Sequence, residues 1–172
     1  MYKSYLILVN DYILISRKNL IFDVLIPLII SIVLGILLFH KKVFITVDVL
    51  VNVTTVLGIL AGFSMTAITI LTSSNSENIK KLKKRTLKID LDGVQVSYFR
   101  KHYILISYSI LVCLFSIILN TICFLVPWST HFNHLWVSIF KTLDFSIILH
   151  IFFLNIRNIT SLYFIFFNDT NQ

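Results

Sequence analysis

The chain reads as an all-α membrane protein with four transmembrane helices, an N-terminal amphipathic helix at the membrane interface and a basic cytoplasmic loop. Three observations predict this. Four apolar stretches, over 20–39, 47–72, 103–126 and 135–156, each approach or exceed the ~20 residues needed to cross a hydrocarbon core of about 30 Å. Hydrophobic residues make up 57% of the chain, charged residues only 13%, and the mean hydropathy is +0.88, well away from the composition of soluble domains. The cationic residues are also sorted by side. The N-terminal segment holds three Lys or Arg, the loop over 74–102 eight and the C-terminal tail one, against two in the first outer loop and none in the second. Twelve against two is a strong positive-inside bias, so both termini and the basic loop are expected in the cytoplasm. With four spans in 172 residues there is no room for a separate soluble domain, and a single transmembrane domain is expected.

The first nineteen residues do not read as a cleavable signal, because Asn10 and Asp11 interrupt the apolar run and no small-residue cleavage site follows. As a helix, they put Tyr2, Tyr5, Leu6, Val9, Tyr12 and Ile13 on one side and Lys3, Asn10 and Arg17 on the other. That pattern predicts a helix lying in the headgroup region. In the first span Pro27, Ser31 and Gly35 are spaced by four, a small-residue face with a kink expected at the proline. Asp23 falls in the first turn, where a carboxylate suits the positive end of the helix dipole and reaches the interface.

The second span, Val47 to Thr72, carries one charged side chain, Asp48, and a Gly58-x-x-x-Gly62 motif. Thr55, Gly58, Gly62, Thr66, Thr69 and Ser73 follow one another by three or four residues, so one face is nearly bare of bulk. In lipid, helices associate through close backbone approach and hydrogen bonding, and such a face is built for contact. Tight packing inside the subunit is the first expectation for it, and a contact between subunits of a homo-oligomer the second, with Gly58, Gly62, Thr66 and Thr69 as the interface residues.

Ser74-x-x-Glu77 reads as a capping box opening a helix over 77–88, which holds Lys80, Lys81, Lys83, Lys84, Arg85 and Lys88. Asp92-Gly93, between Ile89, Leu91 and Val94, Val96, predicts a small hairpin. The six cations suit anionic lipid headgroups, and beyond that a docking surface for a soluble cytoplasmic effector. Direct nucleic-acid binding is not expected, since no stacking aromatic accompanies them before Tyr98. The third span presents Ser109, Cys113, Ser116, Asn120 and Cys123 on one side. In the fourth, Lys141 and Asp144 lie within the bilayer, where a charge costs a few kcal/mol unless paired. They can neutralise each other, or join Asp48 in an intramembrane network extended by Asn52 and Asn120. His150, off that stripe, is expected to be a hydrogen-bonded packing residue. Arg157 marks the cytoplasmic interface, and 159–167 can continue the helix or lie on the surface.

Motifs for phosphate binding, nucleophilic catalysis or zinc hydrolysis are missing from the sequence. Cys113 and Cys123 lie on different faces of one helix and cannot bridge, and His131 with His134 makes a poor metal site. No enzyme and no cofactor are therefore expected. The layout, with Leu57-Gly58-Ile59-Leu60-Ala61-Gly62-Phe63-Ser64-Met65-Thr66-Ala67-Ile68-Thr69-Ile70-Leu71 ahead of a polar loop, resembles the small four-span membrane subunits of bacterial anti-phage defence systems, above all the KwaA family of the Kiwa systems. That resemblance implies a homo-oligomeric inner-membrane sensor working with a cytoplasmic DNA-binding effector subunit, and it carries over no catalytic residue. A small oligomeric channel or pore-forming effector is the alternative.

Overall fold

The structure is a computed structural model and describes residues 2–41, 47–91, 93–125 and 133–167. Lys42, Asp92, residues 126–132 with His131 among them, and the residues beyond 167 lie outside the described residues. Among the described residues six helices and a hairpin follow in order: α1 (Tyr2–Ser16), a π-helical turn (Ile21–Leu25), α2 (Ile26–Lys41), α3 (Val47–Ser73), α4 (Glu77–Lys84), β1 (Thr86–Leu91), β2 (Val94–Ser97), α5 (Tyr98–Leu125) and α6 (His134–Phe167). Three helices are long and apolar enough to cross a membrane, and a fourth span is added if α1 and α2, bent by 113° at their junction, count as one broken span. The fold is that of an all-α multi-pass membrane protein, with the two short strands as its single non-helical element among the described residues.

The bundle is ordered α2, α6, α5, α3, each helix packing on the next. The α2–α6 contact uses the small face read from the sequence: Pro27 and Ser31 are buried, and a Cβ on Gly35 would overlap the Thr142 side chain. The Ser31 hydroxyl donates to the Pro27 carbonyl at 2.7 Å, so it brings no unpaired polar atom into that contact. On α5, Ser109, Cys113, Ser116 and Asn120 are all buried as the spacing predicts, and Leu57 and Ala61 of α3 pack with Ile148 and Ile151 of α6 around Cys113. The fourth helix does not stop at Ile156: α6 runs unbroken for 34 residues to Phe167, about 51 Å at the α-helical rise.

A second core lies at the end of the bundle that carries α1 and the hairpin. Tyr12 and Ile15 of α1, Leu91 and Val96 of the hairpin, and Ile104, Leu105 and Leu154 form one apolar cluster. The hairpin is antiparallel, pairing Asp90 with Gln95 and Leu91 with Val94. Gly93 sits at φ +76°, the left-handed conformation that a two-residue hairpin turn needs. The sequence grouped Tyr5, Leu6 and Ile13 of α1 with Tyr12. In the structure those three are exposed, and the side that packs is Leu8, Tyr12 and Ile15. The face is turned because Tyr12 stacks flat on Tyr108, ring centres 3.7 Å apart.

Candidate functional site

The small-residue face of α3 does not pack inside the subunit. Thr55, Gly58, Gly62, Thr66, Thr69 and Ser73 are exposed, and a Cβ on either glycine would meet nothing within 4 Å. What α3 turns to its neighbours is the opposite side, Leu57, Ala61, Ser64 and Leu71. The physical reason lies on α5, whose own small residues at Ser109, Cys113 and Ser116 supply the hollows into which the bulkier side chains of α3 fit. The exposed hydroxyls are not left unpaired. Thr55 donates to Val51 at 2.9 Å, Thr66 to Gly62 and Thr69 to Met65 at 3.0 Å, and Ser73 to Thr69 at 2.7 Å. With their protons on carbonyls of the same helix, these side chains present a smooth and largely apolar strip.

The expected charge network in the membrane is not assembled. Asp48 is exposed; seven residues before Thr55, it shares the bare face of α3 and points away from α6. Lys141 and Asp144 are half-buried on α6, but ion pairs among the described residues join Arg100 to Asp11 and Arg157 to Asp23. Asn52 is exposed, and buried Asn120 donates to the Ser116 carbonyl of its own helix at 2.9 Å. The polar tie between helices lies further along α6. Ser64 of α3 donates to Asn155 Oδ1 at 3.1 Å, and Asn155 Nδ2 donates to Ser109 of α5 at 3.1 Å. One amide thus joins three helices.

The densest constellation of charge and hydrogen bonding gathers on Asp23, which the sequence placed at the interface. Its side chain is fully buried in the π-helical turn. Arg157 Nη1 and the Tyr12 hydroxyl, the latter at 3.1 Å, both donate to Asp23 Oδ2. Arg157 Nη2 donates to Ser16 Oγ at 3.1 Å. His150 is hydrogen-bonded, as expected: its Nδ1–H donates to the Asp23 carbonyl, which leaves Nε2 to accept from the Tyr108 hydroxyl at 3.3 Å. Burial, and the Asp23 carboxylate beside it, hold the Tyr12 phenol above its ordinary pKa, so it remains a donor. Breaking a buried pair of this kind by removing one partner costs about 3–5 kcal/mol. A signal for it was present: Asp23 opens the first span and Arg157 closes the fourth, so the charge bias puts opposite charges at one depth.

At the same end of the bundle the basic segment folds into a compact appendage. Its helix is capped by Ser76, which accepts from the Ile79 amide at 3.4 Å, two residues later than the capping box suggested. Ser74 instead donates to the Ser76 hydroxyl at 3.1 Å. The helix also ends earlier than expected, at Lys84; Arg85 is already extended and Lys88 lies on β1. A strand wins there because Leu87, Ile89 and Leu91 alternate toward the second core. Ile79 is buried and Leu82 half-buried, while Lys80, Lys81, Lys83, Lys84, Arg85 and Lys88 are all exposed. Lys83 Nζ lies 4.9 Å from the centre of the Phe99 ring, tying α4 to the start of α5.

Comparison with protein families, with curated proteins and with solved structures finds no match to this chain.

Proposed function

We propose that this chain is a membrane-embedded sensor and scaffold subunit of a bacterial anti-phage defence complex. It assembles with copies of itself in the inner membrane, both termini in the cytoplasm, and docks a soluble effector on its basic appendage. One observation carries the reading: the fold uses the apolar residues of the appendage, Ile79, Leu91 and Val96, to seat it on the bundle, and leaves all six of its cations exposed. A surface held in place by its underside and charged on its outer side suits recognition of an acidic partner or anionic headgroups. The bare face of α3 supports assembly in the bilayer, since close backbone approach is what such a face offers.

The test reverses charge where the fold makes no use of it. Lys80→Glu, Lys81→Glu and Lys84→Glu together are expected to leave membrane abundance unchanged and to abolish both phage protection and co-sedimentation of a soluble effector. Full protection in that variant removes the docking role. Ion flux through the purified protein in liposomes, unaffected by those substitutions, would replace the scaffold with a pore.

A further inference from the structure

The Asp23 cluster brings four elements to one point. Tyr12 and Ser16 belong to α1, Asp23 to the π-helical turn, Tyr108 to α5, and His150 and Arg157 to α6. Asp23 accepts at both its carboxylate and its main-chain carbonyl. Arg157 in turn spends its two terminal nitrogens on Asp23 and on Ser16. The end of α1 is thereby fastened to the cytoplasmic end of the fourth helix through one carboxylate and one guanidinium.

The apolar contacts of α1 join the second core. Most of its apolar surface is free: Tyr5, Leu6, Ile7, Ile13 and Leu14 are exposed. What it does bury, Tyr12 and Ile15, lies in one cluster with Leu91 and Val96 of the hairpin and with Ile104 and Leu105 of α5. Asp11 adds a 3.9 Å ion pair to Arg100, just past the hairpin. The helix therefore packs on α5, within the cluster that also holds the underside of the basic appendage, and its fastening lies in the transmembrane bundle. A segment held by few buried contacts and a small set of polar ties opens at lower free energy than the body of the fold.

We propose that α1 is a releasable strap, latched by Asp23 and Arg157, that couples the packing of the transmembrane helices to the exposure of the basic cytoplasmic appendage. This rests on the reading of the appendage as the working surface, and names what regulates it. With the latch closed, the strap completes the core beneath the hairpin. A shift of α6 against the π-helical turn separates Arg157 from Asp23, releases α1, and uncovers Leu91 and Val96, which loosens the platform carrying the lysines. The bundle itself does not depend on the strap, because α3, α5 and α6 keep their own core around Cys113 and their own hydrogen bonds at Asn155.

Thiol accessibility tests this without any partner. In a Cys123→Ser background, Ile15→Cys reports on the strap, Val96→Cys on the platform, and native Cys113, fully buried in the bundle, on the rest of the fold. Removing the latch as a pair, Asp23→Asn with Arg157→Gln, strands no charge. It is expected to raise labelling at both positions 15 and 96 by about tenfold or more, with Cys113 still protected. Tyr12→Phe, which keeps the ring stack and loses one hydrogen bond, is expected to produce a smaller rise at the same two positions. Unchanged labelling at 15 overturns the latch, and a rise at 15 with none at 96 overturns the coupling. Labelling of Cys113 in both variants overturns the proposal as well, since the cluster then supports the whole fold. These readouts do not involve the effector, so loss of docking in the charge-reversal variant leaves them standing, and their failure leaves docking standing.

Discussion

Two helices of this bundle carry small-residue faces that look alike as sequence, and the fold uses them in opposite ways. On α2, Pro27, Ser31 and Gly35 turn inward, and Gly35 lies so close to α6 that an added methyl would overlap Thr142. On α3, Gly58 and Gly62 look out with nothing within 4 Å of where a Cβ would be. The difference teaches that a small-residue spacing marks a face suited to close approach without saying which neighbour approaches. Here α5 settles the matter for α3. Its serines and cysteine already provide a hollow surface, so the larger side chains of α3 are the ones that fit it.

That contrast can be broken most directly at Gly35. Gly35→Leu is expected to destabilise the subunit by about 3 kcal/mol or more, because the side chain has no room that backbone shifts of a few tenths of an ångström would open. Thermal unfolding in detergent measures it, and Thr142→Ala should recover part of the loss in a Gly35→Ala variant. A Gly35→Leu protein as stable as wild type would mean that the α2–α6 approach is not close.

Asn155→Leu should cost less, about 1–2 kcal/mol by the same measurement. It unties three helices, yet Ser64 and Ser109 can turn their hydroxyls to carbonyls one turn back on their own helices. Replacing both Lys141 and Asp144 with Leu should change stability by less than about 1 kcal/mol, since the two go together and leave no lone charge. Wild-type abundance with lost phage protection would show the pair to be a working element, and wild-type protection would leave it structural.

The smallest effect on the subunit itself is expected at the bare face. Gly58→Leu and Gly62→Leu should alter unfolding by no more than about 0.5 kcal/mol, as surface changes commonly do, while particle mass in mild detergent falls to that of the single subunit. Ile59→Leu and Ile70→Leu should change neither. If Gly58→Leu destabilises the chain as much as Gly35→Leu does, the two faces are not opposites.

Much of the fold was legible in the sequence because its determinants are local. The apolar runs of the second, third and fourth spans, the hairpin turn at Gly93 and the packed face of α5 from Ser109 to Asn120 follow from composition and periodicity and recur in the structure, whereas the first span qualifies by length and composition only together with α1, across a 113° bend. The local signals at Ser74 and over 77–88 misled by a few residues, where Ser76 took the cap and the alternation from Leu87 drew the chain into a strand. No single helix reports which of its faces a neighbour will cover, since the answer depends on the shape the neighbour offers. For that reason the side of α3 that packs and the side of α1 that docks were decided only in three dimensions.

The Asp23–Arg157 contact spans 134 residues. Charge counting along the chain by itself leads to the expectation that both groups lie near the same interface. That they meet was decided by the tertiary structure alone, because α2 and α6 are neighbours and a π-helical turn faces the carboxylate inward. Depth in a bilayer is set by each segment's own transfer energy, whereas contact within it is set by shape and by hydrogen bonds that only the assembled helices can make.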